Sequence, residues 1–246
     1  MNLPSISVLV VAHNEDALIR KCLDSIFSQT VSPNEIVVVA HNCTDKTEEI
    51  VSGYEQVKLL SYQGPSGAIH ARIKGFESVT GDIVLCIDGD AYADKKWIQK
   101  LSTPLLNQKN SGVGGEVIIT NILTRRFFST YINFHLAWLL GRVYKPSRNL
   151  AFWGTSFGLR REDYFQIGGL EPLLGLKEKL NLTDCPDDFY LAVKLSQIGN
   201  IVTVFGAPVR TISKEGNSWN AARHAQSQQK DGRKLWRHLA QKARIA

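Results

Sequence analysis

Gly81-Asp82-Ile83-Val84-Leu85-Cys86-Ile87-Asp88-Gly89-Asp90-Ala91 is an apolar run that stops abruptly at two carboxylates separated by one glycine. The stretch Ile83 to Ile87 reads as a strand buried on both faces, as in a parallel sheet. Open α/β sheets bind ligands at the C-terminal ends of their strands, so the carboxylates stand where a ligand would lie. Asp88 and Asp90, two apart, point the same way from an extended backbone, and Gly89 lets a ligand approach closely. Paired hard oxygen donors suit Mg²⁺ or Mn²⁺.

Upstream of that strand the same grammar repeats. Ile6 to Val11 is a β-branched run ending at Ala12-His13-Asn14-Glu15, followed by Ala17, Leu23, Ile26 and Phe27 at helical spacing. Glu35 to Val39 is a second buried strand, and Asp45 with Glu48 resembles a capping box opening a helix through Tyr54. Val57 to Ser61 is a third strand, and Ser66 to Val79, with Arg72, a third helix. Strands alternating with helices across short links predict a largely parallel α/β sheet with right-handed crossovers.

Downstream, Asp94 to Leu106 reads as an amphipathic helix and Gly112 to Thr120 as a strand. Phe127, Tyr131, Phe134, His135 and Trp138 keep helical spacing in an aromatic segment flanked by Arg125, Arg126, Arg142 and Lys145. Ala151 to Leu159 alternates and carries Trp153-Gly154-Thr155, and Gly168-Gly169 marks a turn. Asp187-Asp188 precedes a helix that stops at Gly199-Asn200, and Ile201 to Phe205 is the last predicted strand. Acids in a first helical turn complement the helix dipole, so capping alone accounts for Asp187-Asp188. A DxD pair alone is equally a turn. Strand ends of a parallel sheet share one rim, however, so Asn14-Glu15, Asp88-Gly89-Asp90 and Asp187-Asp188 could line one crevice.

Composition bounds the rest. The 246 residues, 43% hydrophobic and 21% charged, fit a globular chain with one large domain. Cys22, Cys43, Cys86 and Cys185 show no CxxC spacing and read as reduced thiols of a cytoplasmic protein. The first residues lack a secretory signal pattern, and no stretch approaches the roughly 18 apolar residues of a spanning helix. From Lys214 onward eight basic residues stand against two acidic ones, so the tail carries the whole formal charge of +6. Residues 1–213 then read as the body, divided into 1–90 and 91–213, and 214–246 as a basic helical tail. From Asp231, Leu235, Trp236, Leu239, Ala240 and Ala243 fall on one arc and the basic residues on the other. That pattern fits an interfacial helix on anionic lipid, which would place the protein peripherally at the inner face of a membrane. It fits equally a helix packed on the body through Leu235 and Trp236.

Taken in order, these clusters resemble family 2 of the inverting glycosyltransferases. The resemblance runs from Ser7-Val8-Leu9-Val10-Val11-Ala12-His13-Asn14-Glu15 through Val38 to Thr47, Ala71-Arg72 with Gly75, and Asp88-Gly89-Asp90. It continues through Gly154 to Arg161 with Gly168-Gly169 and Asp187-Asp188 with Leu191, Lys194 and Leu195. It implies a GT-A fold, a Rossmann-like mostly parallel sheet flanked by helices, and an NDP-sugar donor, a UDP-sugar foremost. It implies Ala12, His13, Glu15, Arg72, Asp88 and Gly89 around the nucleotide, and Asp90 with Asp88 on Mn²⁺ or Mg²⁺. It further implies Trp153, Gly154 and Thr155 near sugar and acceptor, and Asp188, or Asp187 in its place, as the base. Two departures stand out. Ala40 and His41 occupy positions where many members carry an acid that reads uracil, and the Gln-x-x-Arg-Trp motif of processive members is absent, which implies a single addition.

The expected acceptor is a glycan or lipid-linked glycan, and no nucleic-acid partner is expected. A sugar nucleotidyltransferase should carry a Gly-rich basic loop where Ala12-His13-Asn14-Glu15 stands. Neither GxGxxG nor GxxxxGK[ST] occurs there, which excludes the dehydrogenase and P-loop readings. A catalytically degenerate sugar-nucleotide-binding module docked through the basic tail is the remaining alternative.

Overall fold

The computed structural model describes residues 3–120, 154–212 and 230–239. The aromatic segment 127–138 and Trp153 lie outside the described residues. The first part alternates as expected: β1 (Ile6–Ala12), α1 (Ile19–Phe27), β2 (Glu35–His41), α2 (Thr47–Ser52), β3 (Val57–Tyr62), α3 (Ala68–Ser78) and β4 (Ile83–Asp88). β1 pairs parallel with both β2 and β4, and β3 pairs parallel outside β2. The order β3-β2-β1-β4 reverses direction at β1, so a crevice opens between the C-terminal ends of β1 and β4.

After β4 come β5 (Ala91–Ala93), α4 (Trp97–Leu105), β6 (Asn110–Thr120), β7 (Ser156–Arg160), α5 (Arg161–Gln166), α6 (Glu171–Lys179), α7 (Asp187–Leu195) and β8 (Asn200–Ile212). A further helix, α8, covers 230–239. β7 inserts between β4 and β6 and runs antiparallel to both, while β6 and β8 are parallel. The eight strands form one sheet in the order β3-β2-β1-β4-β7-β6-β8-β5. β8 runs well past the expected end at Phe205. Gly206, at φ +80°, turns the chain, and Val209 to Thr211 then find partners on both β5 and β6. Those partners lie about a hundred residues away, so no local pattern announces the extension.

Alternation along each strand divides the core in two. Leu9, Val84 and Cys86 face a layer built from Ile69 and Phe76 of α3, Tyr190 and Leu191 of α7, and Leu235 and Leu239 of α8. Val8, Val10, Leu85 and Ile87 face Ile19, Leu23 and Ile26 of α1 and Trp97, Ile98 and Leu101 of α4. Both faces of β1 and β4 are therefore dry, which is why these strands read as continuous apolar runs. Among residues 230–239 the apolar arc of the tail faces the body. Leu235 and Leu239 are buried in the core, and Arg233 and Arg237 are exposed.

Gly81, which opens the quoted stretch, sits against the start of β1. A Cβ added there would lie 2.6 Å from Ser7 Oγ and 2.7 Å from the Ser7 backbone nitrogen. Backbone cannot yield as a flexible side chain does, so Gly81→Ala should destabilise the protein by about 1–3 kcal/mol, read as a lowered urea midpoint.

Candidate active site

The rim between β1 and β4 gathers residues far apart in sequence. Gly89 donates its N–H to Val11 O at 2.8 Å, drawing the DxD turn against β1. A Cβ on Gly89 would lie 2.9 Å from Ala12 Cβ, so the absent side chain makes room for β1 as well as for any ligand. The antiparallel pairing of β7 sets Ser156 opposite Ile87, which delivers Gly154 and Thr155 beside the end of β4. Thr155 Oγ1 donates to Asp88 Oδ2 at 2.8 Å.

Arg72 joins the parts. It is 5% exposed on α3, and its Nη2 donates to Asp88 Oδ1 at 3.1 Å and to Gly154 O at 3.0 Å. Its Nη1 donates to Asp187 Oδ2 at 2.5 Å. Burial by itself would lower the guanidinium pKa, but Asp187 and then Asp88 outweigh it and hold the group above its ordinary value. The fork of an arginine suits this role, since it directs donors at two acceptors at once. Arg72, expected to face the nucleotide, is engaged by Asp88, Asp187 and Gly154.

Asp188 follows Asp187 in the first turn of α7. Its Oδ2 accepts the Gly154 N–H at 2.9 Å and its Oδ1 the Phe189 N–H at 2.6 Å. Burial, and then the neighbouring Asp187 charge, push its pKa up to about 6, while Arg72 and the two N–H groups pull the other way. The two adjacent acids are thereby differentiated, with Asp187 in an ion pair and Asp188 in backbone hydrogen bonds alone.

The loops after β1 and β2 form the far wall. Asn14 and Asn42 adopt left-handed backbone, at φ +54° and +51°. Asn14 Oδ1 accepts the Thr44 N–H at 2.8 Å, and the Glu15 N–H donates to Thr47 Oγ1 at 2.7 Å. Asp45 accepts the Thr47 N–H at 2.9 Å and the Asp16 N–H at 3.0 Å, so it ties the start of α2 to the loop after β1. Glu48 accepts from Ser61 Oγ rather than closing a capping box. The exposed His13 carries Nδ1 2.7 Å from His41 O. His41 is buried and stacks on Tyr62 with ring centroids 5.2 Å apart, and burial lowers its pKa. The His41–Tyr62 pair was not legible in sequence, because only the parallel register of β2 and β3 sets these two residues side by side.

No group of three or more His, Cys, Asp or Glu among the described residues could hold a metal ion. The carboxylates at this rim are hard oxygen donors, the type that can hold a divalent cation together with phosphate and water. Asp88 is engaged by Arg72 and Thr155, and Asp90 lies half-buried in the turn after β4.

The sequence model for glycosyl transferase family 2 matches residues 7–168, a stretch that includes the β1 loop, the DxD turn and the Gly154 loop. The chain belongs to glycosyl transferase family 2. The probable glycosyltransferase YdaM of Bacillus subtilis is 26% identical over 231 residues, covering 88% of this chain and 52% of that protein. Glycosyltransferase AglE of Haloferax volcanii is 32% identical over 124 residues, 48% of this chain and 41% of that protein. The chain thus spans about half the length of the curated relatives it matches. Among solved structures, a mannosyltransferase of Pyrobaculum calidifontis in complex with GDP-Man and Mn²⁺ superposes at a TM-score of 0.69 with 22% identity. It covers 99% of this chain and 65% of the other. GalNAc-T7 with UDP, GalNAc and Mn²⁺ gives a TM-score of 0.63 with 18% identity, covering 87% of this chain and 45% of the other. These likenesses show the GT-A fold of this family 2 member.

Arg72→Met keeps the volume and removes the charge, leaving Asp187 buried and unpaired. The variant should lose about 3 kcal/mol of stability in urea unfolding.

Proposed function

We propose that this family 2 glycosyltransferase moves a sugar from a nucleoside diphosphate sugar to an acceptor hydroxyl with inversion, in a single addition. The observation that carries the reading is the separation of roles between two adjacent acids, Asp187 in a buried ion pair with Arg72 and Asp188 raised to about 6 at the rim. A general base works best with a pKa near the operating pH. Asp188 takes the proton of the acceptor hydroxyl while that oxygen forms its bond to the anomeric carbon. The bond from that carbon to the diphosphate oxygen breaks, and the nucleoside diphosphate leaves with the electron pair. Asp187 holds Arg72, and Arg72 holds Asp88 and the Gly154 loop, so the base and the donor side stay in register.

Ala12, His13 and Glu15 line the nucleotide side, and Gly154 and Thr155 stand between the two sides. A divalent cation on Asp90, when bound, supplies positive charge against the diphosphate leaving group. A uridine diphosphate donor fits the resemblance, as UDP and GDP-Man are bound in the solved neighbours. His41, uncharged at neutral pH, stands where an acid would read uracil, so the donor panel must include guanosine as well as uridine diphosphate sugars.

The test is turnover of such a panel with Mn²⁺ in the assay. Hydrolysis or transfer with one donor is expected, and no turnover with any donor would favour a binding module instead. Asp188→Asn should lower the transfer rate by on the order of 10²–10⁴ with donor binding retained. Because the base acts deprotonated, the wild-type rate should fall tenfold per unit below about pH 6 and level off above it. Asp90→Asn should weaken metal-dependent donor binding in calorimetry, and unchanged binding would remove Asp90 from the metal.

A further inference from the structure

Asp231 is fully buried at the start of α8, remote in sequence from the rim. Its Oδ2 accepts the Asp184 N–H at 2.8 Å. Its Oδ1 is buried without a hydrogen bond, 3.8 Å from Lys234 Nζ. A buried carboxylate so sparsely satisfied costs stability, and an apolar residue would fill the same space more favourably. Its value therefore has to be sought in what it holds.

What it holds is the loop that delivers Asp187 and Asp188. Asp184 Oδ1 accepts the Cys185 N–H at 2.9 Å, Cys185 O accepts the Asp187 N–H at 2.8 Å, and Pro186 O accepts the Tyr190 N–H at 2.9 Å as α7 begins. A second tether runs from Lys234 Nζ to Asn181 O at 2.8 Å, at the left-handed turn of Asn181. The α8 backbone at Gly232 passes the Phe189 ring, since a Cβ there would lie 3.9 Å from Phe189 Cδ1. Leu235, Leu239 and Leu182 close the space between helix and loop within one core.

We propose that α8 is a buttress of the active site and that Asp231 is a positioning residue, which aims Asp188 through the Asp184–Asp187 loop. The inference rests on the reading of Asp188 as the base. It assigns the tail a place in catalysis and not only a surface charge. A displacement of about 1 Å at a reacting group can cost on the order of 10²-fold, so a loosened loop acts mainly on turnover.

The test compares the full chain with Asp231→Ala, Asp231→Asn and Lys234→Ala. Asp231→Ala should lower kcat at least about tenfold with the donor KM unchanged. It should speed amide exchange at Asp184 and Gly154, the latter because its N–H is held by Asp188, while the amides of β1 and β4 stay protected. Asp231→Asn, whose amide oxygen still accepts from Asp184, should restore most of both. Lys234→Ala, at a partly exposed side chain, should shift both readouts in the same direction by less. A folded Asp231→Ala with wild-type kcat and wild-type Gly154 exchange overturns the proposal, as does uniform loss of protection across the sheet. Should Asp231→Ala fail to fold, unchanged Gly154 exchange in Lys234→Ala overturns it. A wild-type chain without turnover strikes the proposed function, and the exchange measurements still decide whether α8 positions Asp188.

Discussion

A buried guanidinium held by two carboxylates organises this molecule. Arg72 arrives on α3, Asp88 at the end of β4, and Asp187 at the start of α7, and the three side chains meet at a corner where Arg72 and Asp187 are buried and Asp88 is partly exposed. Each charge is costly to bury alone and tolerable only with the others. The group is therefore a geometric lock, since the sheet, the α7 loop and the Gly154 turn must all be in place for every charge to be matched. A lock of that kind explains how a crevice assembled from segments more than a hundred residues apart keeps one arrangement.

The second acid at the same corner shows the opposite economy. Asp188 has a folded pKa raised from 3.8 to about 6, so its contribution to stability is full below the ordinary carboxylate range and is lost as pH rises through about 6. At neutral pH the charged form works against the fold. Strain of this sort gathers at functional sites, where reactivity is retained against stability. Its neighbour Asp187, one residue away, is matched in charge, and the contrast follows from which of the two the Arg72 fork reaches.

Much of the fold was legible because it is local. Apolar runs ending at polar clusters marked β1, β2 and β4 to within a residue or two, and helical spacing marked α1, α3 and α7. β5 and α5 were missed because they are short, and α6 because its apolar periodicity is weak. β8 was cut short because Gly206-Ala207-Pro208 reads as a breaker when its partners on β5 and β6 are out of view. For α8 the amphipathic pattern was evident, but lipid and protein core ask for the same apolar arc. Over residues 230–239 Leu235 and Leu239 of that arc are buried in the core.

The amino-acid sequence by itself determined the parallel alternation of the first half, the DxD turn at the end of its most apolar strand, and the ordered motifs that mark the family, since each depends on neighbours a few residues apart. Only the tertiary structure decided that Arg72 is a clamp between acids, that Asp187 and Asp188 divide into an ion-paired and a raised carboxylate, and that Asp231 reaches the loop behind them. The physical reason is that charge matching and desolvation are set by distances through space. Asp88 and Asp187 become partners of one guanidinium only after the sheet has brought α3, β4 and α7 to a common rim.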